Sequence, residues 1–265
     1  MNDITLFFGA LVANVDFYGP QLKVERAEHH IHALEAIARD YLRRNAQRMR
    51  PKRNRLVSRK EPATFPRHTS TTLGDAIHNL RVALDHAYHI VAEKNGATFN
   101  PYRRFPFGGD KESLKGSLNG YQKQGTTPSN KVIRAILDEI QPYPSGALNL
   151  YGLHQLDITD KHLVLIPTSA FLGGGITIEL LDASGLPSGR KVTIDGHLGM
   201  PEPGKGQEFF NFGPHGAVCR GDLREALKIC FGDGQPFEGK EVVSTVRKLH
   251  ASVLRALSIL QDAAN

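Results

Sequence analysis

The chain has 265 residues, with 33 Lys and Arg against 27 Asp and Glu and a formal net charge of +6. Its 40% apolar and 23% charged residues are ordinary globular values, and the length allows one large domain or two small ones with a sizeable core. Two cysteines without metal-type spacing exclude a disulfide framework and fit a reducing, cytoplasmic setting.

At the start, the apolar run Leu6 to Ala13 lacks a basic flank and is too short to span a bilayer. It reads as a strand or packed arm, and no membrane partner is expected. From Gln21 to about Arg48, Val24, Ala27, Ile31, Leu34, Ala38, Tyr41 and Leu42 form one helical stripe, and Pro51 stops the helix. His29, His30 and His32 within it cannot face one point on a helix, so they read as solvated rather than as metal ligands.

Charge is unevenly spread. Arg43 to Lys60 holds nine Arg or Lys residues and no acid, the footprint of a nucleic-acid or polyanion contact. Arg48, Arg50, Lys52, Arg53 and Arg55 are its candidate nucleic-acid-binding residues. The plainer reading is a solvated helix end running into a basic hairpin. The run contains no aromatic residue, so a base-stacking platform is not expected there. A short strand is expected over Asn54 to Arg59, followed by a loop through Pro62 and Pro66.

Thr71 to Lys94 (TTLGDAIHNLRVALDHAYHIVAEK) is the central helix. Leu73, Ile77, Leu80, Leu84, Ala87, Tyr88 and Val91 form its stripe, and Ala83 and Ile90 widen it. Ser70, Thr71 and Thr72 offer N-cap oxygens, Asp75 adds first-turn negative charge, and Asn95-Gly96 is a stop. Its polar residues fall in two directions: His78, Asp85 and His89 beside the stripe with Arg81 at its edge, and Asn79 with His86 on another face. Arg81 and His86 diverge by roughly 140° on an ideal helix, so a site using both needs a helix–helix or subunit junction.

Phe99 to Gly109 (FNPYRRFPFGG) reads as an irregular aromatic loop with Arg103 and Arg104 exposed. Lys111 to Tyr121 and Asn130 to Gln141 read as helices, the second ended by Pro142. In the helix Ala147 to His162, Leu150, Leu153 and Leu156 mark the core side, and Asp157 falls on nearly the same face. A carboxylate aimed at a core must be paired, and Arg81 or His86 is the expected partner. His154, Asp160 and His162 lie close by in sequence as supporting residues. From Leu163 to about Gly239, short β-favouring runs (LVLIPTSAFL, GITIELLDASG, RKVTIDG, EFFNF) broken by Gly and Pro predict an antiparallel meander, with Arg220 to Phe231 open between helix and strand. A helix from Glu241 to Asp262 closes the chain.

The expected fold is α+β: a mostly helical bundle of four to five helices with a smaller antiparallel sheet. Its parts are a helical bundle with basic hairpin over 1–162, a β segment packed on it over 163–240, and a completing helix over 241–265.

Gly199-x4-Gly204-Lys205 is not a phosphate loop, because Gly206 replaces the magnesium-holding hydroxyl and no helix follows. Gly173-Gly174-Gly175 reads as a strand turn, and neither cysteine sits in a nucleophile context. His78, Asp85, His89, His154, Asp157 and His162 supply enough ligand types for a bundle metal. Neither Glu-x-x-His nor His-Glu-x-x-His occurs in the two central helices, so no metal and no other cofactor is expected.

Gly74 to His86, GDAIHNLRVALDH, resembles the signature of a family of uncharacterised bacterial proteins, as does His-x-Leu-Asp-x-x-Asp-Lys-His, here His154 to His162. That likeness covers nearly the whole chain and brings no activity with it. A looser resemblance is to the HEPN superfamily, helical bundles, often homodimeric, many of them metal-independent RNases of toxin and defence systems. Arg81 and His86 match its Arg-x4-His motif. Val82 replaces the usual polar residue after the Arg, and the motif lies early, with a β-rich segment after it. The resemblance implies a dimeric RNA-cleaving or RNA-binding protein, with an antitoxin-type partner unknown. His86 would be general base or acid, Arg81 the charge stabiliser, Asn79 the phosphate orienter and Asp85 the imidazole orienter. Two other readings compete: a non-enzymatic module in which Arg81, Asp85 and Asp157 lock helices, and a metal-dependent hydrolase built on His78, His86 or His89 with His154 and Asp157.

Overall fold

The computed structural model describes residues 16–52, 55–58, 66, 68–98, 100, 103–123, 129–162, 168–172, 176–194, 208–211, 214–220, 227–232 and 234–265. It is a mostly helical α+β protein. The expected arm over Leu6 to Ala13, the Gly199–Gly206 segment, the Gly173–Gly175 turn and Arg53 lie outside the described residues.

Helix α1 (Tyr18–Arg48) runs into β1 (Met49–Lys52) and β2 (Arg55–Ser58), and α2 (His68–Lys94) follows. Then come α3 (Lys111–Lys123), α4 (Asn130–Arg134), a π-helical turn (Ala135–Ile140) and α5 (Leu148–His162). Strands β3 (Thr168–Leu172), β4 (Ile176–Leu181), β5 (Pro187–Ile194), β6 (Glu208–Asn211), β7 (Ala217–Arg220) and β8 (Leu227–Phe231) precede α6 (Val242–Ala264).

The chain divides into two compact units. One takes residues 1–31, 73–165 and 244–265; the other takes 32–72 and 166–243. These boundaries cut α1 and α2.

The first unit is helical. Val24, Ala27 and Ile31 of α1 are buried, as are Leu73, Ile77, Leu80, Leu84, Ala87, Tyr88 and Val91 of α2. Leu150, Leu153 and Leu156 of α5 and Val246, Leu249, Val253, Leu257 and Leu260 of α6 are buried too. Helical spacing turned these residues inward because burying each large aliphatic side chain contributes about 1.5–3 kcal/mol. Polar links join the helices at their edges: Arg247 Nη1 to Glu28 Oε1 at 3.4 Å, Asn149 Nδ2 to Ser252 Oγ at 3.2 Å, and Lys111 Nζ to Asp138 Oδ1 at 2.9 Å.

Two helix ends depart from expectation. α2 begins at His68, and the Thr71 and Thr72 hydroxyls donate back to the His68 carbonyl at 2.9 and 2.8 Å rather than capping free N–H groups. The helix predicted over Asn130 to Gln141 widens into a π turn and ends at Gln141, in the left-handed region (φ 55°, ψ 55°). Gln141 carbonyl oxygen accepts from Tyr143 and Ala147 N–H at 2.7 and 2.8 Å. Gly146 is required in that turn, since a Cβ there would lie 2.5 Å from the same oxygen.

The second unit holds the strands; among the described residues they form three small antiparallel sheets rather than one meander: β1-β2-β6, β3-β8 and β5-β4-β7. Arg220 to Phe231 resolves as strand over Leu227–Phe231, paired with β3. Pro51 lies in β1, an edge strand, where a missing N–H donor costs least. The basic run therefore turns from helix into a hairpin.

Candidate functional site

The site grows from α2. Arg81 follows Leu80 on the buried side of that helix and is itself only 5% exposed. A guanidinium placed there must find acceptors. It donates to Asp85, one helical turn on, and to Phe105 carbonyl oxygen at 3.2 Å. Asp85 Oδ1 in turn accepts the Phe105 N–H at 2.7 Å. Arg81 and Asp85 thus satisfy both backbone polar groups of one loop residue, Phe105, which is 2% exposed. A buried irregular loop needs such partners because no strand or helix supplies them.

Aromatic packing completes the clamp. Phe105 meets Tyr88 and Phe107 edge-on, with centroids at 6.1 and 5.2 Å. The Arg81 guanidinium lies 4.7 Å above the Phe107 ring, and His154 stacks on that ring at 4.3 Å with planes 8° apart. His154 Nδ1 is buried and without a hydrogen-bond partner among the described residues. Burial and the nearby Arg81 charge lower its pKa from an ordinary 6.5 to about 4, so it is a neutral stacking group at physiological pH.

A second cluster lies between α2 and α5. Asp157, 4% exposed, accepts from Lys161 Nζ at 2.6 Å and bonds His78 Nδ1 at 3.0 Å. The His78 and Lys161 side chains are 46% and 45% exposed, so a buried carboxylate orients two groups that reach water. Asp160 presses against Gly74, where a Cβ would come within 2.6 Å of its carboxylate. That close approach explains the glycine inside α2. Burial, Asp157 and Asp75 together raise the Asp160 pKa, and its Oδ1 has no hydrogen-bond partner among the described residues. On the α1 side, His30 Nδ1 lies 3.9 Å from Asp75.

The expected partner of Asp157 is corrected here. It is neither Arg81 nor His86 but His78 and Lys161, because Arg81 is consumed by Asp85 and the Phe105 backbone. His86 is exposed and turned to the start of α1, with its Nδ1 3.6 Å from where a Gly19 Cβ would stand. Burial and the Lys23 charge lower its pKa. Arg81 and His86 therefore point apart within the chain, as their helical spacing requires. Asn79 caps nothing catalytic; its amide donates to Asp75 carbonyl oxygen at 2.8 Å. His89 is paired with Glu93 at 3.2 Å.

Of the candidate nucleic-acid-binding residues, Arg48 closes α1 and Arg50, Lys52 and Arg55 lie in the β1–β2 hairpin. His162 is the last residue of α5. The loop expected to expose two arginines exposes only Arg104; Arg103 is buried at 7%. Among the described residues, no three His, Cys, Asp or Glu side chains converge as metal ligands. No helix among them is long and apolar enough to cross a membrane.

The sequence reading missed the Arg81–Asp85 clamp on Phe105. The available signal was the Arg-x3-Asp spacing on the helix preceding an aromatic loop that needed backbone partners. Compared with protein-family models, curated proteins and solved structures, the chain gives no match.

Proposed function

We propose that this protein binds RNA through the basic β1–β2 hairpin and that the Arg81–Asp85 constellation locks its helical unit rather than cleaving phosphodiesters. The observation that carries this reading is the hairpin register. Arg50 stands opposite Val57 and Lys52 opposite Arg55, so positions 50, 52 and 55 share one face of the ribbon. β1 forms the edge of its sheet, and the stretch from Arg43 to Lys60 contains no acid. A ribbon with one basic face matches a phosphate backbone, and the affinity it supplies falls with salt. A buried Arg81 with its donors engaged argues against a phosphate contact at that residue.

The test is fluorescence anisotropy with a labelled single-stranded RNA across a KCl series. Three neutralised phosphates give a slope of log K against log salt of roughly −2. The triple variant R50Q/K52Q/R55Q is expected to lose most affinity and flatten the slope. Unchanged binding by a folded triple variant refutes the ribbon as the contact.

A second reading is favoured by one observation. His78 is a water-facing imidazole held by a buried carboxylate, the geometry of an oriented general base. In that reading the homodimeric, metal-independent RNase survives, with His78 in place of His86 as the proton acceptor and Lys161 near the developing charge. Cleavage in EDTA that disappears in His78→Gln and persists in His86→Gln supports it. Cleavage untouched by His78→Gln overturns it.

A further inference from the structure

The loop that Arg81 and Asp85 clamp carries a second buried guanidinium, and this one pairs with no acid among the described residues. Arg103 is 7% exposed. Its Nη2 donates to Thr98 carbonyl oxygen, and its Nε and Nη1 are buried without a hydrogen-bond partner among the described residues. Its own backbone groups are paired: Arg103 N–H donates to Asn100 carbonyl oxygen at 3.0 Å, and Arg103 carbonyl oxygen accepts from Arg104 Nη1 at 3.0 Å. Asp85 of α2 is committed to Arg81 and the Phe105 N–H, and its second oxygen faces Arg104 Nε at 3.9 Å.

Arginine stays protonated at any physiological pH, so it cannot relieve burial by losing its charge. Folded proteins rarely leave such a group unpaired, and a guanidinium fork is matched by an oxyanion with two acceptor oxygens. A single backbone carbonyl is neutral and occupies only one edge of that fork. The one carboxylate recorded beside this loop, Asp85, already faces two other guanidinium groups, Arg81 and Arg104.

We propose that Arg103 anchors a binding site for a small oxyanion, a phosphate or carboxylate, which supplies the acceptors that Nε and Nη1 lack. This site does not rest on the RNA contact proposed above.

The experiment is thermal melting of the full chain in a non-coordinating buffer, titrated with inorganic phosphate or acetate against chloride at equal ionic strength. At about a hundred times the dissociation constant, a site of this kind raises the melting temperature by roughly 5–10 °C. Saturable stabilisation of the wild type by millimolar phosphate or acetate, absent in Arg103→Met and retained in Arg104→Gln, supports the site. Phosphate acting alone assigns a phosphate-bearing ligand, and acetate acting as well assigns a carboxylate. In anion-free buffer, Arg103→Met is expected to melt no lower than the wild type, because an uncompensated charge has been removed. Arg103→Lys is expected to show at least a tenfold weaker midpoint for the anion. A melting temperature that responds equally to chloride, or equally in wild type and Arg103 variants, overturns the proposal. So does an Arg103→Met protein that melts well below the wild type without anion, since the guanidinium would then have a partner in the chain.

Discussion

Replacing Arg81 with Met separates a structural clamp from a catalytic arginine. The substitution keeps the length and apolar stem of the side chain but removes the charge that faces Asp85 and the donor to Phe105 carbonyl oxygen. Breaking a buried pair by removing one partner typically costs about 3–5 kcal/mol. Here Asp85 keeps the Phe105 N–H at 2.7 Å and the Arg104 guanidinium at 3.9 Å, which places the loss near the lower end, about 3 kcal/mol. For a chain of this size that corresponds to a fall in melting temperature of roughly 6–12 °C. Asp85→Ala should cost at least as much, because it strands both the guanidinium and the Phe105 N–H. Removing both is expected to cost less than the sum, with a coupling of about 1–3 kcal/mol in a double-mutant cycle. The double variant should not recover wild-type stability, since the Phe105 N–H and carbonyl both lose their partners. Four urea or thermal melts settle the matter. A melting temperature for Arg81→Met within about 1 °C of wild type, or an additive cycle, would refute the clamp.

Three further outcomes follow from other parts of the same unit and its neighbour. His154 has a folded pKa lowered from 6.5 to about 4, so the unfolded chain takes up its proton first as pH falls. Its stability contribution is complete above about pH 6.5 and is lost progressively toward pH 4; His154→Phe should remove that part of the slope in a pH series of melts, and an unchanged slope would count against the burial argument. Gly74→Ala places a methyl 2.6 Å from the Asp160 carboxylate, so the gain of roughly 1 kcal/mol expected from alanine in a helix should appear only in an Asp160→Ala background; equal effects in both backgrounds would show that the contact is not felt. Cys230 is buried and its thiol is pushed up to about 11, so in a Cys219→Ser protein a disulfide reagent at neutral pH should react only after denaturation. Rapid native labelling would contradict that environment.

The helical skeleton was legible in the chain because helix formation and burial share one period. Val242, Val246, Leu249, Val253, Leu257 and Leu260 at three- and four-residue spacing predict α6 and its inward face, and all six are buried. The same spacing placed Asp157 with the core residues of α5, and it is 4% exposed. The β-rich region was legible as strands from composition but not as sheets. Pairing is non-local, and β2 takes β6 as a partner more than a hundred residues away.

Sequence by itself settled the α+β class, the central position of α2, the divergence of Arg81 and His86, and the need for a partner at Asp157. The class and the place of α2 follow from hydrophobic periodicity along the chain; the divergence follows from helical geometry and the need for a partner from the cost of burying charge. Tertiary structure decided which partner each charge takes. Arg81 could have met Asp157 across the helices or Asp85 along its own. The loop at Phe105 tips that choice, because its buried N–H and carbonyl require an acceptor and a donor at once. With Arg81 taken, Asp157 turns to His78 and Lys161 at the water-facing side of the same helices.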